Sequence, residues 1–245
     1  MTLSNLTLAK NLGARAHLTF MLAAALGVGG LADFAAASTI ASWTFETSIP
    51  ATAGPFSPEV GAGSASGSHA GAAVYSSPAG NGSAHSFSSN TWAVGDYYQF
   101  QVSSTGLQDL IISWDQTASN TGPGHFQLSY STNGSSFTNF GSTYTVLANA
   151  SPNPVWNTST SSSIYTLTDD LSAISAIENA AAVYFRLTQV DTVSANGGTV
   201  AGGGTNRLDN VTITASPVPE PSSLVLAGLG LGVAVAVRSR RRRAR

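Results

Sequence analysis

The C-terminal tail, residues 217–245, constrains the fold more than any other part of the sequence. Its central run, 224–237, is fourteen residues long, has no charged side chain and is followed at once by arginines. As a helix this run would be about 21 Å long, and its flanking residues extend it to the short end of the range that spans a bilayer. The apolar anchor residues are Leu224, Val225, Leu226, Leu229, Leu231, Val233, Val235 and Val237, and the arginines that would stop transfer are Arg238, Arg240, Arg241, Arg242 and Arg243.

The arginine cluster predicts the orientation of this transmembrane helix. Basic residues favour the cytoplasmic side of a membrane, so the chain before residue 217 would lie outside. A helix buried in a protein core is the alternative, and we disfavour it because no soluble domain follows that could cover the run. Only the chain before the tail is therefore expected to fold as a globule.

A proline-rich tripeptide, Pro219, Glu220 and Pro221, stands shortly before the apolar run. The tripeptide, the run and the basic end, in this order, resemble the PEP-CTERM sorting signal of Gram-negative bacteria. The resemblance implies an exported protein that is temporarily anchored in the inner membrane and recognised by an exosortase, a membrane protease-transpeptidase thought to process near the tripeptide. We assign 217–245 to this sorting signal.

The N-terminus carries a second targeting pattern. Lys10 and Arg15 precede an apolar stretch, 18–31, and three consecutive alanines follow it. This order is typical of a secretory signal peptide, so we expect export through the Sec translocon and cleavage after the alanines. The segment 1–37 is then a signal peptide and 38–216 the folded body. An uncleaved anchor helix is the alternative, which the glycines of the stretch and its short length disfavour.

The body is acidic and has no cysteine. Two arginines stand against ten Asp and Glu residues between 38 and 216, a net charge of −8. Because such a body repels polyanions, no nucleic-acid partner is expected. The absence of cysteine excludes disulfides, thiol catalysis and cysteine-ligated zinc.

Short alternating runs indicate an all-β body. They predict an antiparallel jelly-roll-like β-sandwich of about eight or nine strands with one short helix. Asn133-Gly134 predicts a hairpin, and the Gly- and Ser-rich regions 49–70 and 194–206 read as long loops. The predicted strands are 40–46, 97–102, 110–114, 126–130, 164–167, 182–190 and 208–214, with weaker candidates at 72–75 and 84–87.

The short helix is predicted from a cap and an apolar face. Thr168 or Asp169 could cap it, and Leu171, Ile174 and Ile177 follow at spacings of three residues. We expect it to close one end of the sandwich.

Several segments of the body have a second resemblance. The segments 96–100, 113–117, 126–134, 183–187 and 207–213 are similar in strand pattern to galactose-binding-like jelly rolls, among which are many carbohydrate-binding modules. The resemblance implies a fold and carries no diagnostic catalytic or sugar-binding motif.

Two tryptophans are candidates for ligand binding. Trp92 and Trp156 lie in polar surroundings, and an exposed aromatic ring can stack on the face of a sugar. The alternative is that both rings belong to the core of the sandwich, like most aromatic residues of this fold. Both alternatives stay open for these two residues. Exposed rings would predict a glycan-binding surface there.

Glu46 and Asp209 are candidates for a metal site. Glu46 ends the first predicted strand and Asp209 enters the last, and terminal strands of jelly rolls often pair. Their oxygens could contribute to a Ca²⁺ site, which needs six to eight oxygen ligands. The favoured alternative is that Asp209 satisfies a turn, because no repeated Asp-x-Asp spacing is present.

No catalytic motif is recognisable. His69, His85 and His125 are scattered, and the serines have no evident His-Asp setting. A pair of acids for glycoside cleavage, such as Asp115 and Glu178, depends on their separation in space. We therefore expect a non-catalytic cell-surface or extracellular-matrix protein that associates with exopolysaccharide, with a polysaccharide-active enzyme or a purely structural surface protein as alternatives.

Overall fold

The folded body consists of two antiparallel β-sheets. The computed structural model describes residues 36–219, so the predicted signal peptide, apart from its last two residues, and the predicted membrane anchor lie outside the described residues. No helix within 36–219 is long and apolar enough to cross a membrane. The first sheet contains β1 (Ser38–Trp43), β2 (Val60–Gly61), β4 (Tyr75–Ser76), β5 (Phe87–Ser89), β7 (Leu107–Ala118), β10 (Thr166–Asp170) and β12 (Asn206–Pro217). The second contains β3 (Ser64–Ser68), β6 (Tyr97–Val102), β8 (His125–Ser131), β9 (Thr138–Thr145) and β11 (Val183–Gln189).

The order of strands in the first sheet places its two longest strands, β7 and β12, between shorter ones. The first sheet runs β10-β7-β12-β1-β2, and β5 pairs with both β12 and β4. The second sheet runs β3-β6-β11-β8-β9. The predicted all-β sandwich is confirmed, with additional short strands inside the region 49–70 that we had expected to be a loop.

The core lies between the sheets, where β6 and β11 bury every second side chain. Tyr98 and Phe100 of β6 point inward and are fully buried, as are Phe185 and Leu187 of the neighbouring β11. Trp43 of the first sheet packs against Phe100 of the second, with ring centroids 5.2 Å apart. Because side chains alternate across a strand, the residues between these positions form the outer faces of the sandwich.

The prediction of a helix near Asp169 is wrong in its start and its type. Residues 166–170 continue as a strand, in which Asp169 pairs with Ile112 of β7. The only helical part of this segment among the described residues is a single 3₁₀ turn, Ser175–Ile177. Pairing with the edge of β7 satisfies the backbone groups that a helix would have satisfied, while Leu171 and Ile177 still reach the core.

Both ends of the body leave from the same end of the sandwich. β1 and β12 are antiparallel neighbours, with Ser38 opposite Ala215. β12 stays paired with β7 as far as Pro217, and the amide of Val218 still donates to the Gly106 carbonyl at 2.9 Å. The folded strand therefore runs directly into the tripeptide that begins at residue 219.

Candidate functional site on the outer face of the second sheet

The two tryptophans expected at a ligand surface are buried. Trp92 is 6% exposed and donates through Nε1 to the Ser89 carbonyl. Trp156 is 3% exposed and donates to the Ala79 carbonyl at 2.7 Å. Of the two alternatives open for these residues, the one with exposed rings is therefore wrong. Trp92 belongs to the hydrophobic core between the sheets, whereas Trp156 is buried outside that cluster, with its ring centroid 5.3 Å from that of Tyr165.

Glu46 and Asp209 contact the same loop through separate hydrogen bonds. Glu46 Oε1 accepts from the amide of His85 at 2.8 Å. Asp209 Oδ2 accepts from the amide of Asn81 at 2.7 Å and from the hydroxyl of Ser83 at 2.6 Å. No group of three or more His, Cys, Asp or Glu residues within 36–219 is arranged to hold a metal ion. These hydrogen bonds are those of the favoured alternative, in which Asp209 satisfies a turn, and calcium binding stays an untested prediction.

A buried network of carboxylates explains the position of Asp209. It lies opposite Asp115 in the register of β12 and β7. Asp115 accepts hydrogen bonds from Thr166 Oγ1 at 2.5 Å, from Asn81 Nδ2 at 2.9 Å and from Asn210 Nδ2 at 2.8 Å. Burial, together with the neighbouring charge of Asp115, raises the pKa of Asp209 to about 6.

Asn81 extends this network to a second loop. Its Oδ1 accepts from the amide of Ser162 at 2.9 Å, and its Nδ2 donates to the Ser162 carbonyl at 3.1 Å. Nearby, the amide of Gly82 donates to the Asn157 carbonyl. The network therefore ties the loops around residues 81 and 160 to the outer face of the first sheet, which is a structural role.

Asp115 and Glu178 do not form an acid pair for glycoside cleavage. The amide of Asn179, next to Glu178, donates to the carbonyl of Leu107 at the start of β7. Asp115 lies eight residues further along that strand, about 26 Å away at about 3.3 Å per residue. Inverting and retaining glycosidases need their carboxyl groups within about 10 Å of each other.

A buried Ser-His-Asp arrangement was missed from the sequence. His69 Nε2 lies 3.0 Å from Ser89 Oγ, and His69 Nδ1 lies 3.0 Å from Asp96 Oδ2, although the latter contact does not meet hydrogen-bond geometry. Burial lowers the pKa of His69. The side chains of His69 and Asp96 are only 1% and 2% exposed, and the Trp92 ring covers the imidazole at 4.4 Å. A substrate cannot reach Ser89. The three side chains therefore connect loops and do not form a catalytic centre.

The outer face of the second sheet combines aromatic, amide and guanidinium groups. Alternation places Tyr97 and Gln99 of β6 outside, beside Tyr184 and Arg186 of β11. In the register, Arg186 lies between Gln99 and Ser129. We define the outer-face platform as Tyr97, Gln99, Ser129, Phe137, Tyr184 and Arg186.

Arg186 is at the centre of the platform. Its guanidinium carbon lies 3.9 Å from the centroid of the Tyr97 ring and 3.7 Å from that of Phe137. Its Nε donates to Gln99 Oε1 at 2.8 Å. Two rings and one amide therefore fix the plane of the guanidinium group.

Tyr184 is placed by the turn between β8 and β9. Gly134 has a φ of +71°, and a Cβ at this position would lie 3.1 Å from the Tyr184 ring. A glycine is therefore favoured both by the left-handed backbone and by the approach to the ring. The Asn133-Gly134 hairpin predicted from the sequence is confirmed, since β8 and β9 pair on either side of it.

The comparison with protein families matches the C-terminal tail. Residues 217–243 match the PEP-CTERM protein-sorting motif. This confirms the sorting signal and implies an exported protein with a membrane-anchored precursor and an exosortase-type sorting partner. Pro219 is the last described residue and is exposed, while Glu220, Pro221, the apolar run and the arginines lie outside the described residues. No curated protein matches the sequence.

Solved structures are similar to the body at low identity. The K1 cleaved adhesin domain of Lys-gingipain from Porphyromonas gingivalis W83 is 16% identical with a TM-score of 0.40, and the match covers 73% of this chain and 97% of that chain. A structure of carbohydrate-binding modules from the β-sandwich superfamily is 9% identical with a TM-score of 0.39, covering 72% and 62%. A module in complex with β-1,4-galactotriose is 10% identical with a TM-score of 0.36, covering 69% and 92%. At these values the ligands of those proteins say nothing about the ligand of this one.

Proposed function

We propose that the body is a non-catalytic glycan-binding module of an exported cell-surface or matrix protein, and that the outer-face platform is its binding surface. The observation that supports this proposal is the difference between the outer faces of the two sheets. On the first sheet the central row consists of short hydroxyl residues that bond to one another, as Ser42 does to Thr212 and Thr168 to Ser113. On the second sheet the corresponding row carries long planar groups held in fixed orientations.

The chemistry of the platform suits a sugar chain. Aromatic rings stack on the C–H faces of sugars, while amide and guanidinium groups bond to their hydroxyls. Tyr97, Gln99, Tyr184 and Arg186 are all partly exposed, so a ligand can reach them. Their fixed orientations reduce the entropy that is lost when a ligand binds.

A binding experiment tests this surface. The full-length protein in detergent is applied to a glycan array, beside a Tyr97→Ala, Tyr184→Ala double variant and a Ser113→Ala, Thr212→Ala control on the other sheet. We expect the platform variant to lose binding and the control to retain it, with both keeping the melting temperature of a folded protein. Equal binding by all three proteins would rule out the platform, and an array without any signal would rule out the function.

The sorting signal supports a finer proposal about the fate of the protein. We infer that an exosortase of a Gram-negative host processes the chain near Pro219, Glu220 and Pro221, after which the body is retained by exopolysaccharide. Alanine at these three positions should leave the full-length precursor in the membrane fraction, whereas a Ser222→Ala control should be processed normally. Mass spectrometry of cell fractions decides the question, and normal processing of the triple variant would refute the proposal.

A further inference from the structure

We propose that the outer-face platform selects acidic glycans, and that Arg186 binds the carboxylate of a uronic acid unit. This inference rests on the proposed function and adds the chemical class of its ligand. It follows from the orientation of one guanidinium group, from the lack of a partner for it, and from the charge of the body around it.

The orientation of Arg186 leaves one edge of its guanidinium group available. The guanidinium carbon lies over the Tyr97 ring at 3.9 Å and over the Phe137 ring at 3.7 Å, and Nε donates to Gln99. The two terminal Nη atoms form the remaining edge. That edge presents parallel N–H donors, the geometry that binds a carboxylate through two hydrogen bonds.

No group of the described chain uses this edge. Within 36–219 no carboxylate lies within 4.0 Å of an Arg186 nitrogen, and neither Nη atom has a hydrogen-bond acceptor there. Neither Nη is among the buried atoms without a partner, so both are in reach of solvent. The edge is therefore aligned and accessible to a ligand.

Basic side chains such as that of Arg186 are rare in this body. Arg186 and Arg207 are the only basic residues other than histidine in a body that has ten acids. The rings around Arg186 remove water from its charge, and this desolvation lowers the pKa of Arg186 without an internal carboxylate to compensate. An uncompensated charge held in place at a partly exposed surface is typical of a binding group.

The body as a whole would repel an acidic polymer at long range. Binding must then depend on short-range contact, in which Arg186 bonds to the carboxylate while Gln99 and the two tyrosines contact hydroxyls of the same or the next sugar. Salt screens the long-range repulsion but leaves this short-range contact, so binding should persist at physiological salt.

The two arginines supply a matched pair of variants. Arg207 is the other arginine of the body and lies on β12 of the first sheet, and no aromatic ring among the described residues lies over it. We compare the full-length protein in detergent with Arg186→Gln, Arg186→Lys and Arg207→Gln. The probes are polygalacturonate, neutral galactan, dextran and dextran sulfate, measured by titration calorimetry at low and at physiological salt.

The expected result is preferential binding of polygalacturonate, weakened about tenfold or more by Arg186→Gln. Arg186→Lys should restore part of the affinity, because lysine keeps the charge but not the paired donors. Arg207→Gln should behave as the unmodified protein, and all variants should keep their melting temperature. Tighter binding of dextran sulfate than of polygalacturonate would overturn the assignment to a carboxylate.

Other outcomes separate this inference from the proposed function. Equal binding of galactan and polygalacturonate, unaffected by Arg186→Gln, would overturn the acidic preference but leave glycan binding intact. An equal loss in Arg186→Gln and Arg207→Gln would show that only the overall charge matters. Failure to bind any of the four polymers and any glycan of the array would overturn both.

Discussion

Substitution of Asn81 by alanine tests the buried carboxylate network most directly. The side chain makes three hydrogen bonds, one to the carboxylate of Asp115 and two to the backbone of Ser162. A hydrogen bond to a buried charged group contributes about 1.5–3 kcal/mol and a neutral one about 0.5–1.5 kcal/mol. The variant should therefore lose about 3–5 kcal/mol of unfolding free energy.

This loss corresponds to a measurable fall in melting temperature. For a domain of this size each kcal/mol shifts the melting temperature by about 2–4 °C, so we expect a fall of about 6–20 °C. Tryptophan fluorescence is a suitable assay, because Trp156 donates to Ala79 within the same pair of loops and should become exposed when they separate. Asn139→Ala is the control, since Asn139 is exposed on β9 and its side chain has no hydrogen bond within 36–219. If Asn81→Ala melted within about 2 °C of the parent, the network would not hold the loops together.

Three further predictions concern pH, backbone and metal. The folded-state pKa of Asp209 is raised to about 6 from 3.8, so the protonated form is favoured in the folded protein, and this group should add up to about 3 kcal/mol of stability as the pH falls from 7 to 4. Asp209→Asn should remove that dependence in thermal melts across this window, and an unchanged pH profile would contradict the burial argument. Gly134→Ala should destabilise more than Gly141→Ala, because both have positive φ but only Gly134 contacts Tyr184, and equal melting temperatures would exclude a role for that contact. EDTA and Ca²⁺ should leave the melting temperature unchanged, since the donors around Asp209 are hydrogen-bonded, and a large rise with Ca²⁺ would restore the calcium hypothesis.

The strands could be predicted from the sequence because their pattern is local. Alternation over 97–102 and 183–189 indicates strands with one buried face. Asn133-Gly134 indicates a turn, because Gly134 can adopt the positive φ that the turn has. The sorting signal could also be predicted from the sequence, because its three parts are contiguous in the chain.

The site was not readable, because it depends on pairing between distant segments. Asp115 and Asp209 are 94 residues apart in the chain and become neighbours only in the register of β7 and β12. Arg186 meets Gln99 through the pairing of β11 with β6 in the same way. The polar neighbours of Trp92 suggested exposure, but its burial is decided by where the loops lie on the sandwich.

A short stretch of chain inside the sorting signal separates the last strand of the body from the apolar run. Pro217 and Val218 are still hydrogen-bonded into the first sheet, and only five residues separate Val218 from the start of the apolar run. Even fully extended, five residues reach about 17 Å. Processing near residues 219–221, as proposed above, would therefore take place within a few residues of the last hydrogen-bonded pairs between β12 and β7.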